Sequence, residues 1–60
     1  MKISEVEIGN PYIHIHAYGQ PDNNVICIYK TEKSVTLEYE SGRTTEFNEI
    51  ECERYLDERL

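Results

Sequence analysis

Between Tyr12 and Tyr18 the chain alternates without a break. Tyr12, His14, His16 and Tyr18 fall on one parity, and Ile13, Ile15 and Ala17 on the other. Successive side chains of an extended strand point to opposite faces, so this pattern predicts a half-buried strand. One face is aliphatic and faces the core; the other carries tyrosine and histidine.

Turn formers cut the rest of the chain into similar lengths. Lys2 to Ile8 reads as a first strand, ended by Gly9-Asn10-Pro11. The Tyr12–Tyr18 strand runs into Gly19-Gln20-Pro21-Asp22-Asn23-Asn24, a loop composition. Val25 to Lys30 is a third strand, with Glu32-Lys33 as a hairpin tip. Ser34 to Glu40 alternates again, Val35, Leu37 and Tyr39 against Thr36, Glu38 and Glu40. Ser41-Gly42 is a turn, since glycine takes the positive φ that hairpins need, and Arg43 to Phe47 is a fifth strand.

Matching the aliphatic faces sets a register, because a slip by one residue exchanges the two faces. Ile15 then lies opposite Ile28 and Ala17 opposite Ile26. Carried onward, Ile28 meets Leu37 and Ile26 meets Tyr39. A bulge at Gly42 brings Phe47 opposite Val35. In this register Tyr12, His14, His16, Val25, Cys27 and Tyr29 share the second face, with His16 opposite Cys27.

Asn48 has the side chain to cap a helix, and Glu51 three residues later completes a capping box. Cys52, Tyr55, Leu56 and Leu60 form its apolar stripe; Glu49, Glu53, Asp57 and Glu58 form an acidic face. The expectation is a single domain over residues 1–60, mainly β (α+β). It is a five-stranded antiparallel meander, as a curled sheet or small SH3-like barrel, with one C-terminal helix. An open sheet covered by a second subunit is the alternative.

Small size limits function. A chain of 60 residues buries only about 60% of its unfolded surface. A ligand cavity of roughly 300 Å³ would consume much of that interior. No set of nucleophile, base and oxyanion donors is legible, so the reading is not an enzyme, with no catalytic residues and no cofactor. Twelve acidic residues against six basic ones give a net charge of −6. That field repels phosphate backbones and suits a protein partner with a basic surface. The opening Met-Lys-Ile-Ser-Glu has no leader pattern and no run is apolar enough for a membrane span, so the expected location is cytoplasmic. Cys27 and Cys52 have no paired spacing and read as free thiols in a reducing compartment.

Three functional readings follow. The first is a protein-interaction surface made by Tyr12, His14, His16, Tyr18 and Tyr29, with Glu49, Glu53 and Asp57 as an acidic helix face that mimics nucleic-acid charge. Tyrosine supplies large contact area at low entropic cost. In size and charge, though in no motif, such a chain resembles the phage-type inhibitors of host defence that block a nucleic-acid-handling enzyme. The second is a zinc site on His14, His16 and Cys27, whose nitrogen and sulfur donors suit that metal; Glu38 is a further candidate ligand. The third is a two-fold homodimer through the Tyr/His face, loosening toward about pH 5 as the histidines gain charge.

Overall fold

The computed structural model describes residues 1–15 and 23–59. The chain starts with a 3-10 turn at Ile3–Glu5 and continues through β1 (Pro11–His14), β2 (Asn23–Lys30), β3 (Ser34–Tyr39) and β4 (Thr44–Asn48). A helix, α1 (Glu49–Tyr55), and a short strand, β5 (Leu56–Glu58), complete it. All pairings are antiparallel and the sheet order is β4-β3-β2-β1-β5. The expected architecture of five antiparallel strands with one helix near the C-terminus is what forms. Two elements differ from expectation.

Lys2 to Ile8 is not a strand. Ile3 and Val6 are both buried, and their spacing of three fits a 3-10 turn, where i and i+3 eclipse, and not a strand. The Val6 amide donates to the Ile3 carbonyl at 3.0 Å, and the Lys2 amide to the Glu5 carboxylate at 2.8 Å. The fifth strand lies instead after the helix. Residues Leu56–Glu58 leave α1 and pair with β1, Tyr12 with Glu58 and His14 with Leu56. The Ile15 amide extends that ladder to the Tyr55 carbonyl at 2.7 Å. At the end of α1 the Met1 ammonium donates to the carbonyls of Cys52 (3.1 Å) and Leu56 (3.2 Å), satisfying acceptors that a helix terminus leaves open.

The sheet curls strongly. In a flat sheet β1 and β4 would stand about 14 Å apart, three strand spacings. Yet the ring of His14 on β1 meets that of Phe47 on β4 edge-on, with centroids 4.9 Å apart. Helix α1 is about 10 Å long and joins the two outermost strands, which a flat sheet would hold about 19 Å apart. Of the expected closures, the curled, barrel-like one is adopted, with α1 across its open side.

Local signals explain the connections. Asn48 caps α1 as expected: the Glu51 amide donates to its side chain at 2.9 Å and the Asn48 amide to the Glu51 carboxylate at 3.1 Å. Gly42 sits at φ +91°, the Gly42 amide donates to the Tyr39 carbonyl and the Tyr39 amide to Arg43. That is the geometry of a three-residue hairpin loop closed by a left-handed glycine, and it places Phe47 opposite Val35.

Candidate functional site

On β1 and β2 the inside of the curl is built from the parity expected to lie outside, whereas Val35, Leu37 and Phe47 on β3 and β4 and Cys52 and Leu56 of the expected helix stripe lie inside as expected. Tyr12, Val25, Cys27, Val35, Leu37, Phe47, Cys52 and Leu56 are buried together, with Ile3 and Val6 from the first turn. Val25 is 1% exposed and Cys27 0%, whereas Ile26 and Ile28 are 43% and 42% exposed. As far as Cys27 the expected register across β2 and β3 is off by one, Val25 pairing with Tyr39 and Cys27 with Leu37; past the bulge, Tyr29 with Thr36 and Lys30 with Val35 fall in the expected register. On the other side Ile26 pairs with Pro11 and not with Ala17, which lies outside the described residues, as do His16 and Tyr18.

Two physical reasons account for the inversion. Tyrosine and histidine carry apolar bodies with polar tips, and here the tips are bonded internally. The Glu7 amide donates to the Tyr12 hydroxyl at 2.7 Å, and His14 Nδ1 shares a 2.7 Å hydrogen bond with the Tyr39 hydroxyl. The inside of a tightly curled sheet is also crowded, so slim Val25 and Cys27 suit it better than two isoleucines. A bulge then shifts the pairing between Cys27 and Tyr29. Ile28 becomes the extra residue, and both Ile28 and Tyr29 are exposed.

These positions correct several sequence expectations. Tyr12 is in the core and offers no contact surface. His14 is half-buried in a cluster with Tyr39 and Phe47, and Phe47 in turn meets Tyr55. Of the face expected to pair two subunits, Tyr12, Val25 and Cys27 therefore lie in the interior and His14 at its edge. Tyr29 remains exposed, as do Glu49 and Glu53 on α1. Asp57 is exposed but belongs to β5 and not to the helix face. For metal, Cys27 and Glu38 lie on opposite faces of the sheet, since Cys27 pairs with Leu37 and Ile26 with Glu38. Among the described residues no group of three or more His, Cys, Asp or Glu side chains is placed to hold a metal ion.

Both thiols are free and buried. Burial pushes the Cys27 thiol above its ordinary range, opposed by a hydrogen bond with the Tyr29 backbone and by the nearby Lys30 charge. Burial likewise raises Cys52, opposed by the terminal ammonium and reinforced by Cys27. Such thiols are poor nucleophiles.

What sequence reasoning missed is the outer face of β1 and β2. Ile26, Ile28 and Tyr29 stand exposed there, and Ile8 is exposed just ahead of Gly9, whose amide donates to the Cys27 carbonyl on β2 at 2.7 Å. Carboxylates adjoin this apolar surface: Glu38 is the β3 partner of Ile26, and Asp57 is the β5 partner of half-buried Ile13. Arg59 borders it too. With Asn24, Ile26, Glu38 and Glu40 it lines a concavity of about 330 Å³. Its buried Nε has no hydrogen-bond partner among the described residues. The missed signal was the doubled apolar parity of β2, where Val25 and Cys27 compete with Ile26 and Ile28 for the interior.

No described helix is long and apolar enough to cross a membrane. Comparison with protein-family models, curated proteins and solved structures finds no match to this chain.

Proposed function

We propose that the chain is a small acidic protein-interaction module that binds a larger partner with a basic surface and inhibits or regulates it in the cytoplasm. The observation that carries this reading is the placement of Ile26, Ile28 and Tyr29 on the outside of a sheet whose inner face already supplies the core. A contiguous apolar surface edged by polar groups is characteristic of a protein contact site. The net charge of −6 favours a basic partner and speeds encounter with it. Size and charge also support a role like that of phage-type inhibitors, which occupy the basic groove of a nucleic-acid-handling enzyme.

The test is affinity purification from the native host with paired baits, wild type and Ile28→Asp, after circular dichroism has established that the variant is folded. A basic protein that co-elutes with wild type and is lost from Ile28→Asp is the expected result. Equal recovery with both baits would refute the reading.

A further inference from the structure

The strand register lays out the outer face in rows. One row runs Asp57–Ile13–Asn24 across β5, β1 and β2, and the Asn24 amide group donates to the Glu40 carboxylate at 3.2 Å. The next runs Pro11–Ile26–Glu38–Thr44 from β1 to β4. Beyond the bulge a third runs Tyr29–Thr36–Glu46. Each row carries an apolar residue on β1 or β2 and a carboxylate at or beyond β3. Down the face this makes an apolar stripe flanked by acids, Glu38 and Glu40 along β3 and just past its end and Glu46 one strand further on β4. Among the described residues Arg59 is the one cation lining the concavity beside Glu38 and Glu40. Same-face residues along a strand are about 7 Å apart, so the stripe is about 14 Å long with one carboxylate at each step.

We infer that this face is the seat of an amphipathic helix of the partner protein, two to three turns long, with lysine or arginine along one flank. The inference rests on the interaction reading above and names the partner's contacting element. Its apolar side covers Ile13, Ile26, Ile28 and Tyr29, and its basic flank meets Glu40, Glu38 and Glu46. An apolar sheet face is ordinarily covered by a helix laid upon it. A stripe of about 14 Å matches about nine helical residues. Side chains at i and i+4 recur every 6 Å or so along a helix. That is near the carboxylate spacing and within reach of long basic side chains. A second copy of this chain would bring a matching line of carboxylates and another net charge of −6, so Coulomb repulsion disfavours it.

The test is a titration of the isotope-labelled full chain, followed by amide chemical shifts. The probe is an amidated peptide of about fourteen residues with leucines in helical stripe spacing and lysines on one flank. A second peptide carries glutamate in place of the lysines. The expected result is saturable shifts centred on Ile13, Asn24, Ile26, Ile28 and Glu38. Affinity should be at least about tenfold weaker for the glutamate peptide, and for the lysine peptide against Glu38→Gln/Glu40→Gln. Absence of saturable shifts at millimolar peptide, shifts centred on Glu49 and Glu53, or equal affinity for both peptides would overturn the inference. So would light scattering of a two-chain species with Ile26 and Ile28 in its interface, because a second copy would then be the occupant. If the peptide fails while partner capture still depends on Ile28, only the helix assignment falls. If capture is also indifferent to Ile28, the interaction reading falls with it.

Discussion

Val25 and Ile26 are neighbours in one strand, and truncating each to alanine measures which side of the sheet faces inward. Val25→Ala removes two methyl groups from a site that is 1% exposed. The transfer loss is about 0.8 kcal/mol per group, and the cavity left beside Tyr39 and Tyr12 brings the cost to roughly 2–3 kcal/mol. Ile26→Ala removes more carbon, but from a side chain that is 43% exposed. Its cost is about 1 kcal/mol or less, mostly lost strand propensity. Total stability for a chain this size is about 3–9 kcal/mol, so Ile26→Ala stays folded while Val25→Ala uses from about a quarter to all of the margin. Urea unfolding reads the difference. With a slope near 1 kcal/mol per molar, Val25→Ala lowers the midpoint by about 2–3 M and Ile26→Ala by about 1 M or less. If Ile26→Ala proves the more damaging, the inner and outer faces have been assigned the wrong way round.

Three further outcomes follow from the packing. Tyr39→Phe removes the hydroxyl that bonds His14 Nδ1 at 2.7 Å, and urea unfolding should show a loss of about 0.5–1.5 kcal/mol with the strand content intact by circular dichroism. Asn48→Ala removes the acceptor for the Glu51 amide and should cost about 1 kcal/mol by the same assay, while Asn48→Asp should be nearly neutral. Cys27 and Cys52 are both raised above the ordinary value of 9.0 by burial. Folding therefore favours their protonated forms, and the stability this contributes is complete below pH 9.0 and fades as pH climbs past it. A Cys52→Ala variant should lose stability less steeply above that pH, and native thiols should react with an aromatic disulfide reagent far more slowly than unfolded ones.

How much of this was legible depended on whether a local signal had a competitor. The α1 cap was legible because Asn48 and Glu51 satisfy each other's amides without help from the rest of the fold. The β3–β4 turn was legible because a left-handed position wants Gly42, and that fixed Phe47 opposite Val35. The face of β2 was not. Val25, Ile26, Cys27 and Ile28 are apolar on both parities, so alternation does not choose between them, and the bulge at Ile28 changes parity within the strand. Counting Tyr12 and His14 as surface groups misjudged them, since partners distant in sequence bond the His14 and Tyr39 tips inside the curl. The end of α1 carries no glycine or proline stop; pairing of Leu56–Glu58 with β1 decides it, a long-range event that residues 49–60 do not encode by themselves. The candidate site moved with the face. Tyr29, Glu49, Glu53 and Asp57 stay at the surface, while the isoleucines that alternation assigns to the core become its centre.

The most direct test of the account is calorimetric titration of the captured partner into wild type and an Ile26→Ser/Ile28→Ser double variant, each checked beforehand by thermal unfolding. Because both side chains stand largely outside the core, the variant should lose no more than about 2 kcal/mol and still melt cooperatively, at most about 15 °C below wild type. Its affinity for the partner should fall by at least about tenfold. A variant that no longer folds would return Ile26 and Ile28 to the interior, and a folded variant that binds as tightly as wild type would show that the outer face is not where the partner sits.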